Sequence, residues 1–154
     1  MMTITAGKFL KSTGSLDGSI FENSTILIAE VNSQGAIGFM INRPLGRFLH
    51  ELVEFKDSPI IPLYEGGPVA SDHIFLLHRC SDLIRESRPI AGDLFWGGKM
   101  EDAVTGINSG RIHPGNMKIL VGYCGWDAGE LESEIAESSW NFITEYEEGI
   151  FSKP

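Results

Sequence analysis

Thr25-Ile26-Leu27-Ile28-Ala29-Glu30-Val31, then Asn32-Ser33-Gln34-Gly35, then Ala36-Ile37-Gly38-Phe39-Met40-Ile41 is the stretch on which the fold turns. The first run is β-branched and nearly continuous, the pattern of a buried strand. Asn32 to Gly35 supplies turn chemistry, and the second apolar run follows at once, so the three pieces form a hairpin. Pro44 and Gly46 end it.

Working outward, Phe9-Leu10 forms a first short strand, followed by a loop rich in Ser and Gly from Ser12 to Ser19. Phe48, Leu49, Leu52 and Val53 fall at i, i+1, i+4 and i+5, which predicts a short helix. Ile60 to Tyr64 and Ile74 to Leu77 read as buried strands around a Gly66-Gly67-Pro68 corner. Met100, Ala103, Val104 and Ile107 make an amphipathic helix that Gly110 closes. Met117 to Tyr123 is another strand. Asp127, with Glu130 three residues on, predicts a capping box for a helix that buries Leu131 and Ile135 and turns its glutamates to water. Trp140, Phe142, Thr144 and Tyr146 alternate with polar residues, as in a half-exposed strand. About seven strands and three helices without strict alternation mean α+β rather than doubly wound α/β.

The 154 residues fit one domain, residues 1–154, with no repeat or long linker. Hydrophobic content of 42% is ordinary for a globular chain. The first residues lack the basic and apolar regions of a signal peptide, and no apolar run is long enough to span a bilayer. Cys80 and Cys124 form no CxxC pair and read as reduced thiols, which places the protein in the cytoplasm with no membrane partner. The net charge of −9 is concentrated: the segment 127–148 holds eight acids and no Lys or Arg, leaving 13 acids against 12 bases elsewhere. Neither part offers the basic face that a nucleic-acid backbone demands.

Several segments carry chemistry with more than one reading. Asn42-Arg43-Pro44 follows a strand directly, so Arg43 either projects into a cleft to take an anion in bidentate fashion or pairs with a carboxylate such as Glu65 at a strand-end turn. Glu65-Gly66-Gly67-Pro68 either presents N–H groups as an anion nest or makes a sharp corner in which glycine permits positive φ. Gly92 to Lys99 fails as a P-loop, because Gly98 occupies the Lys position and no Ser or Thr follows Lys99. Gly122-Tyr123-Cys124-Gly125-Trp126 stands between a strand and a helix, where a nucleophile elbow would sit. The fifth position should be Gly but holds Trp126, and a Cys124 nucleophile needs a base such as His78 or His113 beside it. Cys124 otherwise reads as a small packing residue. His73 and His78 point to opposite faces of one strand, and no His/Cys spacing suits a metal. Trp126 and Trp140 read as core anchors.

Four of these blocks, in order, resemble the YqgE/AlgH family. Gly35-Ala36-Ile37-Gly38-Phe39-Met40-Ile41-Asn42-Arg43-Pro44 is similar to its Gly-Ala-x-Gly-x-x-x-Asn-Arg-Pro block, and Gly66-Gly67-Pro68-Val69 to its Gly-Gly-Pro-Val corner. Gly122-Tyr123-Cys124-Gly125-Trp126 resembles its Gly-Tyr-small-Gly-Trp segment, and Leu131-Glu132 with Ser139-Trp140 its ending. The pattern is broken where Asn23-Ser24 replaces Arg-Ser, Glu30-Val31 replaces Glu-His, and Glu130 replaces Gln. The resemblance implies a mixed, mostly antiparallel sheet bent into an irregular barrel with about three flanking helices. It implies no established activity; some members carry the label of transcriptional regulator.

The sequence leads to a non-enzymatic regulatory or adaptor domain that binds a small molecule or a protein partner, with no cofactor and no metal. The candidate binding residues are Asn42, Arg43 and the Glu65-Gly66-Gly67-Pro68 corner, joined by Tyr123 and Trp126. The rival readings are an enzyme, either a Cys124 hydrolase or one holding a cofactor in the bent sheet, and a DNA-binding regulator.

Overall fold

The computed structural model describes residues 3–144 and 149–151. Its strands are β1 (Phe9–Ser12), β2 (Thr25–Asn32), β3 (Gly35–Met40), β4 (Pro44–Phe48), β5 (Pro62–Glu65), β6 (Val69–His78), β7 (Ser87–Ala91), β8 (Leu94–Gly97), β9 (Met117–Asp127) and β10 (Trp140–Ile143). Two α-helices, α1 (Met100–Asn108) and α2 (Glu130–Ala136), complete it. The strands form one 10-stranded sheet in the order β10-β1-β2-β3-β9-β6-β8-β7, with β4 and β5 added beside β9. Among the described residues all pairings are antiparallel except β5 with β9. The end strands β10 and β7 do not pair with each other, so the expected barrel is not closed.

The hairpin of β2 and β3 forms as its sequence predicts, Asn32 pairing with Gly35 across the turn. β2 is continuously apolar because the sheet is covered on both faces. Leu27 and Ala29 join a core with Phe39, Tyr64 and Leu120 on one face. Ile26 and Ile28 join Met40, Trp126 and Trp140 on the other, where α2 adds Leu131. Further along that sheet, Leu63, Leu76 and Ile119 pack under α1 through Ala103. Each such side chain, fully buried, contributes about 1.5–3 kcal/mol.

The α+β class holds, and several details differ. The expected helix at Phe48 to Val53 is two single 3-10 turns, Leu49–Glu51 and Val53–Phe55, separated by Leu52 in an extended conformation. The Glu51 carboxylate accepts both the Phe48 N–H and the Arg47 guanidinium, closing one turn locally, and Val53 faces water, so nothing draws the chain into a longer helix. Among the described residues two α-helices therefore replace three. The strand expected from Ile60 starts at Pro62, because Ile60 lies 73% exposed. β4 and the β7–β8 hairpin carry Pro44, Pro89 and Gly92, which hide them in a reading by apolar runs. β9 runs on to Asp127, so Gly122 to Trp126 lies inside a strand and is no elbow. At α2 the Asp127 N–H donates to Glu130, half of the capping box, while Gly129 is the N-cap residue in the left-handed region. Tyr146 and the acids Glu145, Glu147 and Glu148 lie outside the described residues.

Candidate functional site

Residues 119–121 of β9 pair with β5 and also with β6, so these two strands flank β9 on opposite edges. The chain must therefore step from one edge to the other within Gly66-Gly67-Pro68, across the backbone of β9. It does so at Gly122. A Cβ on Gly67 would lie 2.2 Å from the Tyr123 carbonyl carbon, and one on Gly122 would lie 2.2 Å from the Gly67 carbonyl oxygen. The glycines serve this crossing, in which backbone meets backbone.

The crossing also brings together the two motifs singled out in the sequence. The Glu65 N–H donates to the Arg43 carbonyl at 2.8 Å, and the Met40 N–H to the Gly66 carbonyl at 2.8 Å. Asn42 accepts the Thr25 N–H through Oδ1 and donates to the Asn23 carbonyl through Nδ2, each at 3.0 Å. The Arg43 guanidinium donates to the carbonyls of Ile20 and Glu22, and stands 3.9 Å from the Glu65 carboxylate. The Gly66 N–H is taken by the Val121 carbonyl at 2.7 Å. These polar groups face other parts of the chain: Asn42 and Arg43 clasp the loop before β2, and the corner is pinned to β9. Pro68 is exposed at its outer end.

Cys124 packs among buried apolar residues, and its Sγ donates to the Gly66 carbonyl at 3.4 Å. Burial pushes its thiol up to about 12. A thiol raised this far is protonated throughout the neutral range, so it lacks the thiolate that a nucleophile needs. Iodoacetamide at pH 8 is expected to alkylate Cys124 of the folded protein about a hundredfold more slowly than in the urea-unfolded chain. Equal rates would show an accessible, activated thiol. Neither proposed base stands beside it: His78 Nδ1 accepts the Cys80 N–H at 3.0 Å, and His113 Nδ1 accepts the Gly115 N–H at 2.9 Å.

His78 does meet Ser87, a pair that sequence spacing does not reveal. Nε2 is 3.0 Å from the Ser87 hydroxyl and 3.2 Å from the Gly97 carbonyl. Because Nδ1 accepts a backbone N–H, the neutral ring carries its proton on Nε2 and donates there. Ser87 in turn donates to the Ile84 carbonyl at 2.7 Å. Burial lowers the His78 pKa and holds the ring neutral. The pair is a structural bond with the proton on the wrong nitrogen for a base. Among the described residues no group of three His, Cys, Asp or Glu side chains could hold a metal.

The remaining two candidates, Tyr123 and Trp126, stand apart from the clasp and line a cleft of about 350 Å³. Glu30, Asn32, Ile37, Val69 and Asp127 line it with them. Val69 pairs with Tyr123, but the next pair of β6 with β9 is Ile74 with Val121. The residues between bulge away, with Ala70 at φ 50. Beyond Tyr123, residues 124–127 of β9 pair with β3 alone among the described residues. Cys124 lies buried under the crossing at Gly67, so the edge left without a strand beside the cleft is that of residues 125–127. Glu30 is held by Arg88 at 2.8 Å, whereas Asp127 has no basic partner among the described residues, so the cleft is net acidic. Val69, 39% exposed, is the apolar patch at its mouth. Sequence reading missed Glu30, Asn32 and Val69; the polar interruption Ser71-Asp72-His73 inside β6 was the available signal for the bulge.

Comparison with known proteins places this geometry. Residues 9–154 match the AlgH-like family. A UPF0301 protein of Chlorobium luteolum is 39% identical over 137 residues, covering 89% of this chain and 72% of that protein. One from Cytophaga hutchinsonii is 36% identical over 151 residues, 97% of this chain and 83% of the relative. The solution structure of the AlgH protein from Pseudomonas aeruginosa superposes with a TM-score of 0.78 at 29% identity, covering 100% of this chain and 85% of that one. A crystal structure of a Corynebacterium diphtheriae protein shares the fold at a TM-score of 0.77 and 18% identity, over 99% of this chain and 82% of the other. By the match along residues 9–154 and by these relatives, the chain belongs to the AlgH-like family.

Proposed function

We propose that this protein is a non-enzymatic regulatory or adaptor domain of the cytoplasm, and that its site is the acidic cleft at Tyr123 and Trp126, which takes an extended basic segment of a partner protein. The carrying observation is the unpaired edge of residues 125–127 beside that cleft. An extended segment adds to such an edge through main-chain hydrogen bonds, and adjoining pockets select its side chains. Asp127 supplies the charge that favours a Lys or Arg of the partner, and Tyr123 and Val69 supply an apolar floor. The two cysteines are free and buried, in keeping with a reducing compartment. No helix among the described residues is long and apolar enough to cross a membrane. Enzymatic use of Cys124 is opposed by its buried, protonated thiol, and DNA binding by the net charge of −9.

A photocrosslinking amino acid at Val69, introduced in the native cells, tests the reading against the same probe at Val53, which is 87% exposed and away from the cleft. A protein adduct formed at Val69 alone, and lost with Asp127→Lys, is the expected result. Adducts at both positions, or an adduct indifferent to Asp127→Lys and Tyr123→Ala, would overturn it. A native mass spectrum that shows a small bound molecule released by Tyr123→Ala would transfer the cleft to a small-molecule ligand.

A further inference from the structure

A second cleft, sharing no residue with the first, opens between the start of β5 and the start of β9. Its volume is about 170 Å³, and its walls are apolar: Ile60, Pro62, Pro114, Met117 and Phe151, with the ring of Tyr64. Into this setting β9 places Lys118, a residue only 4% exposed. Its position in the strand explains the burial. Lys118 and Leu120 share the face of β9 that carries the main core, so the side chain runs inward rather than out to water. Nζ donates to the Ile41 carbonyl at 2.7 Å and lies 4.1 Å from the centroid of the Tyr64 ring. Among the described residues no carboxylate stands within ion-pair distance of it.

A lysine held purely for structure would normally find an acid or keep its ammonium in solvent, because a buried unpaired charge is costly. Lys118 does neither. Burial lowers its pKa to about 8, so near that pH a large share of the side chain is the neutral amine, whereas an exposed lysine is almost wholly charged. A desolvated lysine on an apolar cleft has the properties that carbonyl chemistry requires.

We propose that Lys118 is the reactive amine of a second site, one that captures a small apolar aldehyde or ketone as an imine. The lone pair of the neutral Nζ attacks the carbonyl carbon, a C–N bond forms, and the carbonyl π pair moves to oxygen. One nitrogen proton passes to that oxygen, giving a carbinolamine. Loss of water, carrying away the oxygen and the second nitrogen proton, leaves the C=N bond. No oxidant or reductant takes part. Among the described residues Tyr64 carries the only side-chain hydroxyl on the lining and makes no hydrogen bond, and it is free to donate to the carbonyl oxygen. The apolar walls and the volume select a short alkyl or aryl carbonyl over a sugar or a nucleotide.

Butanal with sodium cyanoborohydride at pH 8 is the probe, and peptide mass mapping of the folded protein reads which lysines acquire a butyl group. Lys118 is expected to react at least tenfold faster than the exposed Lys11 and Lys56. Ile60→Trp, at the exposed rim of the cleft, is expected to slow Lys118 and leave Lys56 unchanged. The preference is expected to vanish in urea. A Lys118 that reacts no faster than Lys11 and Lys56 in the folded protein overturns the proposal, since a purely structural amine bonded to Ile41 would be shielded. So does a preference that survives unfolding, or an Ile60→Trp effect shared by all lysines. Because the mapping uses the native residue, no outcome depends on whether a Lys118→Met variant folds.

Discussion

Gly122→Ala is expected to remove a large part of the stability of this chain at 25 °C. Two costs combine at this position. Gly122 has φ +75, a left-handed conformation that costs an L residue about 1–2 kcal/mol. Its Cβ would also lie 2.2 Å from the Gly67 carbonyl oxygen and 3.0 Å from that of Val69. Neither atom belongs to a side chain that can rotate away; both are the backbone of the segment that crosses β9. Relief requires the crossing itself to lift, which breaks the Gly66 N–H bond to Val121 and the Val69–Tyr123 pair. Overpacking against fixed atoms costs about 1–3 kcal/mol or more, so the total reaches a large part of the stability of a domain this size. Gly92→Ala is the control that separates the two costs. Gly92 has φ +56 but nothing within 4 Å of its added Cβ, so only the conformational cost of about 1–2 kcal/mol applies. Urea unfolding of the two variants measures the difference. Equal midpoints would mean that the chain does not pass tightly over Gly122.

The same crossing shows where the sequence stops being legible. The β2–β3 hairpin is local: a β-branched run, turn residues and a second run lie within 17 residues, and each signals its own role. α1 is local too, its apolar spacing and Gly110 lying side by side. Gly66 and Gly67 are different. Taken alone, two glycines before a proline mark a corner or an anion nest, and nothing nearby says that the opposing surface is the backbone of Gly122. That fact belongs to topology, to a parallel strand on one edge of β9 and an antiparallel one on the other. The site followed the same division. Asn42 and Arg43 were visible as residue types, but their engagement with Asn23, Ile20 and Glu22 depends on a loop folded beside them. Tyr123 and Trp126 were visible within their motif, whereas the cleft they line exists because β6 bulges away at Ala70. Lys118 is a single cation in an apolar strand, and only the two-sided burial of the sheet decides where its amine goes.

Trp126→Ala carries the other large expected effect, about 3–5 kcal/mol, and its cause extends beyond lost volume. Trp126 is buried against Trp140, ring centroids 6.3 Å apart and edge to face, in the core that α2 covers with Leu131. Both indoles also have to place an N–H. Glu134 of α2 takes them together: its Oε1 accepts Trp126 Nε1 at 3.1 Å and Trp140 Nε1 at 3.0 Å. One glutamate therefore turns inward, unlike the solvated row that helical periodicity assigns to this face, because the two indoles converge on a single acceptor. Glu134→Ala leaves both donors without a partner, at about 1–3 kcal/mol for each that stays dry. Trp126→Phe keeps most of the packing and removes one of the donors. Its cost is expected to shrink in the Glu134→Ala background, giving a coupling of about 0.5–2 kcal/mol in a double-mutant cycle read by thermal unfolding. Additive losses would show that Glu134 holds Trp140 alone. The arrangement also decides how the acidic cleft can be probed. Trp126 cannot be removed without unseating α2, so a loss of binding in Trp126→Ala would report a damaged core. Tyr123, half-buried and packed edge to face on Phe75 at 5.7 Å, reaches the same cleft without anchoring the helix, and its substitution reads binding itself.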